Sequence, residues 1–151
     1  MNGANPAGND GENLQSQKWQ WAPAIYIACL LVMNILTSPL EISEMPDDCP
    51  EDSMNCDKRE VELNVGDDEL HQAMQQWADE RLFTTTFSQG HIVDRTLLMQ
   101  FPDDVIYSNE CGIVELFSKS RLGRSDLGVN AERLDDIVEF LMDYEFETTC
   151  Q

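Results

Sequence analysis

The segment from residue 19 to residue 40 contains no charged side chain. As an α-helix it would span about 33 Å at 1.5 Å per residue, which matches a bilayer core of about 30 Å. Trp19, Trp21 and Tyr26 gather near its first end, where aromatic rings favour the headgroup interface. A helix of this length that is apolar on every side is too long to be the buried core helix of a domain this small. The segment is therefore predicted to be a transmembrane anchor.

Two other interpretations of this segment remain open, a cleaved signal peptide and a buried core helix. Only Lys18 supplies the basic start of a signal peptide, and residues 37–40 make a poor cleavage site.

Positive charge also bears on orientation, because Lys and Arg favour the cytosolic side. Lys18 precedes the segment, and no Lys or Arg follows it until Lys58. We therefore expect residues 1–18 to lie in the cytosol. The domain that follows the segment is expected outside the cytosol, in the periplasm or an equivalent compartment.

Acidic residues outnumber basic ones 29 to 9 in the 151-residue chain, for a formal charge of −20. Such a charge repels nucleic-acid phosphates, so a role in binding DNA or RNA is not expected. The excess serves either solubility or docking of a basic partner. A hydrophobic content of 42% argues against wholesale disorder. The polar residues 1–18 are the exception and are predicted to form a flexible tail.

Four of the five cysteines follow the anchor, and Cys49 and Cys56 close a small loop directly after it. Outside the reducing cytosol, a Cys49–Cys56 disulfide is the first expectation, and Cys111–Cys150 is its consequence. Free thiols and a metal site are the alternatives. No CxxC pair is present, so a metal centre is the weakest of the three.

Hydrophobic periodicity predicts the element order β-α-β-β-β-β-α. We expect strands near 60–65, 83–88, 92–100, 105–107 and 113–117, with helices near 67–82 and from Asn130, as N-cap, to Tyr144. Short connections favour an α+β fold with a mostly antiparallel sheet of about five strands and two helices on one face. The predicted organisation is a tail (1–18), an anchor (19–40), a linker with the cysteine loop (41–59), the domain (60–144) and an acidic tail (145–151).

A polar, glycine-containing run at residues 118–130 is the candidate site. Three cations within six residues form a basic island on an acidic domain, which could bind an anion. In the structural alternative, Arg121 or Arg133 pairs with an aspartate and the loop locks the fold. No serine lies in a motif with a histidine, so catalysis is not favoured. The candidate ligand-binding residues are Ser118, Lys119, Ser120, Arg121, Arg124, Ser125, Asp126, Asn130, Asp103 and Asp104.

Three segments resemble the motifs of the domain of unknown function 1499 family. Residues 117–133 follow its approximate signature R-S-x-S-R-x-G-x-S-D-x-G-x-N-x-x-R, with Phe117 in place of the first Arg. Residues 101–105 are similar to its Phe-x-Asp-Asp-Val segment. Residues 49–56 resemble its C-P-x-S-P-N-C motif, one residue longer and with Met54 in place of a Pro. The resemblance covers roughly residues 49–141 and implies an envelope or plastid-type protein with an N-terminal signal or anchor and no established activity.

Together these patterns predict a membrane-anchored, non-enzymatic binding or accessory protein that needs no cofactor or metal. Its expected partners are the membrane through residues 19–40, and a protein or a small anionic ligand. The alternatives are a structural subunit of a membrane complex and an envelope hydrolase centred on residues 118–130.

Overall fold

The computed structural model describes residues 19–82, 86–96 and 100–150. Helix α1, Ala22–Thr37, continues into a short 3-10 helix, Ser38–Leu40. Its side chains are largely exposed, and it is long and apolar enough to cross a membrane. One compact unit ends at Leu36 and a second begins at Thr37. The predicted anchor is therefore helical, and the rest of the described chain folds separately from it.

The second unit is an α+β domain built on a five-stranded antiparallel sheet in the order β1-β5-β4-β3-β2. The order of elements along the chain is the predicted one, β-α-β-β-β-β-α. The elements are β1 Cys56–Leu63, α2 Asp67–Glu80, β2 Thr86–Ser88, β3 His91–Arg95, β4 Pro102–Glu110, β5 Gly112–Ser120 and α3 Val129–Asp143.

Helices α2 and α3 cover one face of the sheet and form the main core with it. Apolar side chains recur on α2 at helical spacing, and their partners on β1, β4 and β5 lie at every second residue, because alternate strand residues point to the same face. The fully buried members include Leu70, Met74, Ile92, Val105, Val114, Leu116, Leu134, Ile137 and Leu141.

Strand β4 differs most from the prediction. A break was expected at residues 101–104, but β4 begins at Pro102 and carries Asp103 and Asp104 inside the sheet. Proline is tolerated at the first position of a strand, where little pairing is lost. The aspartates are tolerated because arginines neutralise them. The predicted strand residues 83–85 and 97–99 lie outside the described residues.

The second face of the sheet is also covered. Val93, Ile106 and Phe117 are buried there, on the side opposite the helices, since neighbouring strand residues point to opposite faces. Residues 41–55 precede β1, and Lys58 Nζ donates to the carbonyls of Pro46 and Asp47 in this segment. Phe117 stands where the family signature has an arginine. It is only 1% exposed, so its apolar side chain fits the buried environment of this position.

Candidate functional site

The predicted polar loop consists of three structural parts. Residues 118–120 complete strand β5, residues 121–128 turn back, and α3 begins at Val129. Gly128, with φ of 89°, occupies the N-cap position, so the prediction of Asn130 as N-cap is wrong. The Asp126 carboxylate instead accepts from the backbone N–H groups of Gly128 and Asn130. This frees the Asn130 side chain to point into the domain.

Arg133, on the first turns of α3, lies at the centre of a buried polar cluster on the helix-covered face. Its Nε donates to Asp94 over 2.8 Å, and one NH2 group donates to Asp103 over 2.6 Å. The other donates to Ser118 over 3.0 Å and to Asn130 over 2.7 Å. We call Arg133, Asp94, Asp103, Ser118 and Asn130 the Arg133 cluster. All are buried, so nearly every hydrogen-bonding group of the guanidinium is used inside the domain.

The Arg133 cluster is close to electrically balanced. Asp94 and Asp103 face each other across β3 and β4, and Arg81 at the end of α2 also donates to Asp94, over 2.9 Å. Burial raises the pKa of Asp94, but Arg133 and Arg81 outweigh it and hold that pKa below its ordinary value. The two arginines thus keep a buried carboxylate ionised.

Asn130 joins the polar loop to the cysteine loop. Its amide donates to the Asn55 carbonyl over 2.8 Å and to the Ser120 hydroxyl over 3.2 Å. In return, the Asn55 amide donates to the carbonyls of Ser120 and Gly123. The Cys49–Cys56 disulfide, predicted from the spacing, closes the loop that carries Asn55. Two segments that are far apart in sequence are therefore interlocked through side-chain amides.

A second polar cluster lies on the opposite face of the sheet. Asp104 is fully buried and receives Arg121 through two bonds, from Nε over 2.9 Å and from NH2 over 2.6 Å. His91 Nε2 lies 2.7 Å from the same carboxylate, and the Ile42 N–H donates to it over 3.2 Å. Glu41 lies 3.5 Å from Arg121. These residues, the Asp104 cluster, hold the start of the linker segment on the domain.

Charge in the Asp104 cluster is arranged to keep Asp104 ionised. Burial raises the pKa of this carboxyl, but hydrogen bonds from His91 and Arg121 outweigh it, so the pKa lies below its ordinary value. The second ring nitrogen of His91 faces Glu41 at 3.7 Å rather than a serine or cysteine. This geometry serves as a clamp between the linker segment and the sheet.

Five of the ten predicted site residues belong to these clusters, and Ser120 and Asp126 are bonded to the cluster member Asn130. The pairing of Arg133 with Asp103 and of Arg121 with Asp104 is the structural alternative that the sequence offered. The side chains of the other three, Lys119, Arg124 and Ser125, form no bond to either cluster among the described residues, although Lys119 is the strand partner of Asp104. Ligand binding at the predicted residues is a proposal that these contacts leave untested.

The sequence did not point to three members of the clusters, Glu41, His91 and Asp94, nor to their direct partners Asn55 and Arg81. The available signal was weak: Asp94 ends an apolar run in β3, where an unpaired carboxylate would be unfavourable. Within residues 19–82, 86–96 and 100–150, no group of His, Cys, Asp and Glu is arranged to hold a metal ion. In the same residues, Asp103 Oδ1 has no hydrogen-bond partner.

Acid is expected to destabilise the domain through Asp94 and Asp104. Their pKa values are lower in the folded than in the unfolded state, so their contribution is complete above the unfolded pKa of about 3.9 and is lost as pH falls through the folded value. The free energy of unfolding should therefore decline below about pH 4. Urea unfolding measures it in 1 M salt, where the Debye length is about 3 Å and the interactions among exposed acids are largely screened. An Asp104→Asn variant should show a shallower decline, and an equal slope would contradict the assignment.

Leu127 is expected to lower the stability of the domain. Its φ is 58°, in the left-handed region, and its side chain is 93% exposed. Leu127→Asn should raise the free energy of unfolding by about 0.5–1 kcal/mol, because asparagine adopts this conformation more readily. Thermal unfolding measures the effect. The matched control is Leu82→Asn, since Leu82 is 90% exposed and has no positive φ. Equal melting temperatures for the two variants would argue against strain at Leu127.

A known sequence family matches most of the chain. The sequence model of a family described as "Protein of unknown function (DUF1499)" matches residues 32–141. The match includes the cysteine loop, strands β1 to β5 and the polar loop, and ends within α3. No curated protein and no solved structure matches the chain.

Proposed function

Since this chain belongs to the DUF1499 family, a family of unknown function, we propose that it is a single-pass, membrane-anchored accessory protein. Its acidic domain lies on the extracytosolic side and binds a protein partner without catalysing a reaction. Helix α1 tethers the domain, and the two polar clusters keep its shape.

Support for a binding role comes from how the polar loop uses its side chains. Arg121, Asn130 and Arg133 are bonded to carboxylates, amides and hydroxyls of the domain itself. A catalytic loop keeps functional groups directed at a substrate, whereas these are directed inward. The surface that remains is strongly acidic, because all but two of the 29 acidic residues lie after residue 40. Such a surface favours a partner with a basic face.

Support for an extracytosolic location comes from the cysteines. Cys49 is paired with Cys56, and Cys111 with Cys150. Paired disulfides of this kind persist in oxidising compartments and are rare in the cytosol. Cys29, in α1, is the free cysteine of the described residues.

Topology is tested by labelling intact cells or organelles with a membrane-impermeant thiol reagent. The proposal expects labelling of the domain cysteines only after reduction, and without permeabilisation. Labelling that requires permeabilisation but no reductant would contradict both the location and the disulfides.

Intact mass measurement of the mature protein separates an anchor from a cleaved signal peptide, because cleavage would remove α1.

Partner binding is tested by co-purification from native membranes in mild detergent at low and high salt. A partner held by the acidic surface should be retained at low salt and released at high salt, where exposed charges are screened. The control is residues 1–40 alone, since a partner that this fragment retains binds the helix instead. Retention by the fragment would support the alternative of a structural subunit, and a lone monomer at low salt would contradict the proposal.

A further inference from the structure

The linker segment, residues 41–55, crosses the second face of the sheet and covers apolar side chains there. At one end the Ile42 N–H donates to Asp104 on β4 over 3.2 Å, and further along two carbonyls of the segment accept from Lys58 on β1. Strand β5 lies between β4 and β1, and its Phe117 is the strand partner of Lys58. Phe117 is buried under the segment. Loosening of the segment would therefore open an apolar sheet surface, the kind of surface that binds a partner.

His91 contacts a carboxylate with each of its ring nitrogens. Nε2 lies 2.7 Å from Asp104, which is kept ionised and can only accept, so Nε2 carries a hydrogen. In the neutral ring Nδ1 is then an acceptor, and it faces the Glu41 carboxylate at 3.7 Å. Two acceptors form no hydrogen bond. A protonated ring has an N–H group for each carboxylate, so the contact with Glu41 is favourable only when His91 is charged.

The charged groups on this face around His91 are two acids and three cations. They are Asp104, Glu41, Arg121, Arg95 of β3 and Lys119 of β5, while β2 is uncharged. The cations oppose a further proton. Arg121, however, is bonded to Asp104 and lies 3.5 Å from Glu41, so the cation nearest to His91 is itself paired with both acids. A proton on His91 is therefore placed beside two carboxylates rather than beside an unpaired cation.

We propose that His91 makes the Asp104 cluster a pH-sensitive clamp, which holds the linker segment more tightly when the imidazole is protonated. The step is the addition of one proton at Nδ1, which then donates to Glu41. The Glu41 side chain is 45% exposed, so it can move the short distance into hydrogen-bond range. Histidine is the side chain that ordinarily titrates between pH 5 and 8. The added bond is present at the lower end of this range and is lost as pH rises, which gives a partner access to the apolar face around Phe117.

The test is amide hydrogen exchange of the full chain in detergent micelles between pH 5.5 and 8. The measured quantity is the protection factor of the Ile42 N–H, the intrinsic exchange rate divided by the observed rate at the same pH. This ratio removes the ordinary pH dependence of exchange. Protection of Ile42 is expected to be about two- to five-fold higher at pH 5.5 than at pH 8, the effect of a partly exposed ion pair. The Ile137 N–H within α3 reports on the whole domain and should change less.

Three variants assign the effect to the clamp. Glu41→Gln keeps the size of an exposed side chain but removes its charge, so the domain should fold and Ile42 should lose the pH dependence. His91→Gln keeps a donor for Asp104 that does not titrate, and should lose it as well. The matched control is His71→Gln, which should retain the pH dependence. His71 is the second of the two histidines and contacts Tyr107 on the helix-covered face.

Equal protection of Ile42 at pH 5.5 and pH 8 in the wild-type protein would overturn the inference, and so would an unchanged pH dependence in Glu41→Gln. Loss of the dependence in His71→Gln would assign the proton to the other histidine and also overturn it. A change at Ile137 as large as that at Ile42 would show that pH acts on the whole domain rather than on the clamp. None of these outcomes bears on the anchor or on the basic partner, so the proposed function is tested separately.

Discussion

Replacing Arg133 with methionine is expected to lower the free energy of unfolding by about 3–5 kcal/mol, the usual effect of removing one partner from a buried ion pair. The Arg133 side chain is 3% exposed and neutralises Asp94 and Asp103, which are almost fully buried. Methionine fills much of the space but leaves Asp103 with no cation. The loss is therefore dominated by an uncompensated buried charge rather than by a cavity.

Urea unfolding followed by circular dichroism measures this loss, and Arg124→Met is the matched control. Arg124 is exposed and forms no ion pair with the described residues, so its replacement should change stability by less than about 0.5 kcal/mol. If the Arg133→Met variant does not fold, Arg133→Lys keeps the charge without the two-pronged geometry and should lose less. Adding Asp103→Asn to Arg133→Met should recover part of the stability. No recovery, or equal losses at 124 and 133, would contradict the proposed role of the cluster.

Removing the Cys111–Cys150 disulfide is expected to destabilise the domain more than removing Cys49–Cys56. The sequence separations are 39 and 7 residues. Loop-closure entropy then predicts losses of about 4 and about 2.5 kcal/mol. Cys111–Cys150 also ties down the C-terminal segment, where the Glu69 carboxylate accepts from the N–H groups of Glu147 and Thr148. The longer loop and the attached segment both act in the same direction.

Paired Cys→Ala variants, unfolded in urea without reductant, measure the two losses separately. Peptide mapping of the unreduced wild-type protein is the control, since it must show the two pairings before the variants are interpreted. Hydrogen exchange adds a local readout, because only Cys111→Ala/Cys150→Ala should increase exchange at residues 147–150. A larger loss from the Cys49 pair would contradict the loop-length argument.

Most of the secondary structure could be predicted because its signals are local. The apolar spacing of Leu70, Met74 and Trp77 predicts α2, and the alternation of Val61 and Leu63 predicts β1. The start of strand β4 could not be predicted from such local signals. Residues 102–104 read as a break, since proline and two acids are unfavourable in a central strand, and only distant arginines make them acceptable there.

The candidate site was predicted in part for a related reason. The sequence suggested that Arg121 and Arg133 pair with aspartates, but it could not assign each arginine to its partner. Consecutive strand residues point to opposite faces, so Asp103 turns toward α3 and Asp104 toward the linker segment. The register of β3 and β4 then places Asp94 opposite Asp103. Pairing of this kind depends on strands that the sequence alone does not align.

The sequence by itself therefore determined the apolar helix, the order of elements, the favoured cysteine pairs and the family motifs, because each is carried by composition, periodicity or spacing along the chain. Only the tertiary structure decided that Arg121 and Asn130 of the polar loop, together with Arg133 of α3, turn inward, into two clusters on opposite faces of the sheet. It also decided which groups remain outside, among them Arg124 and Leu127. The physical reason is that a buried charge is stable only beside its partner, and the partners here come from segments far apart in the chain.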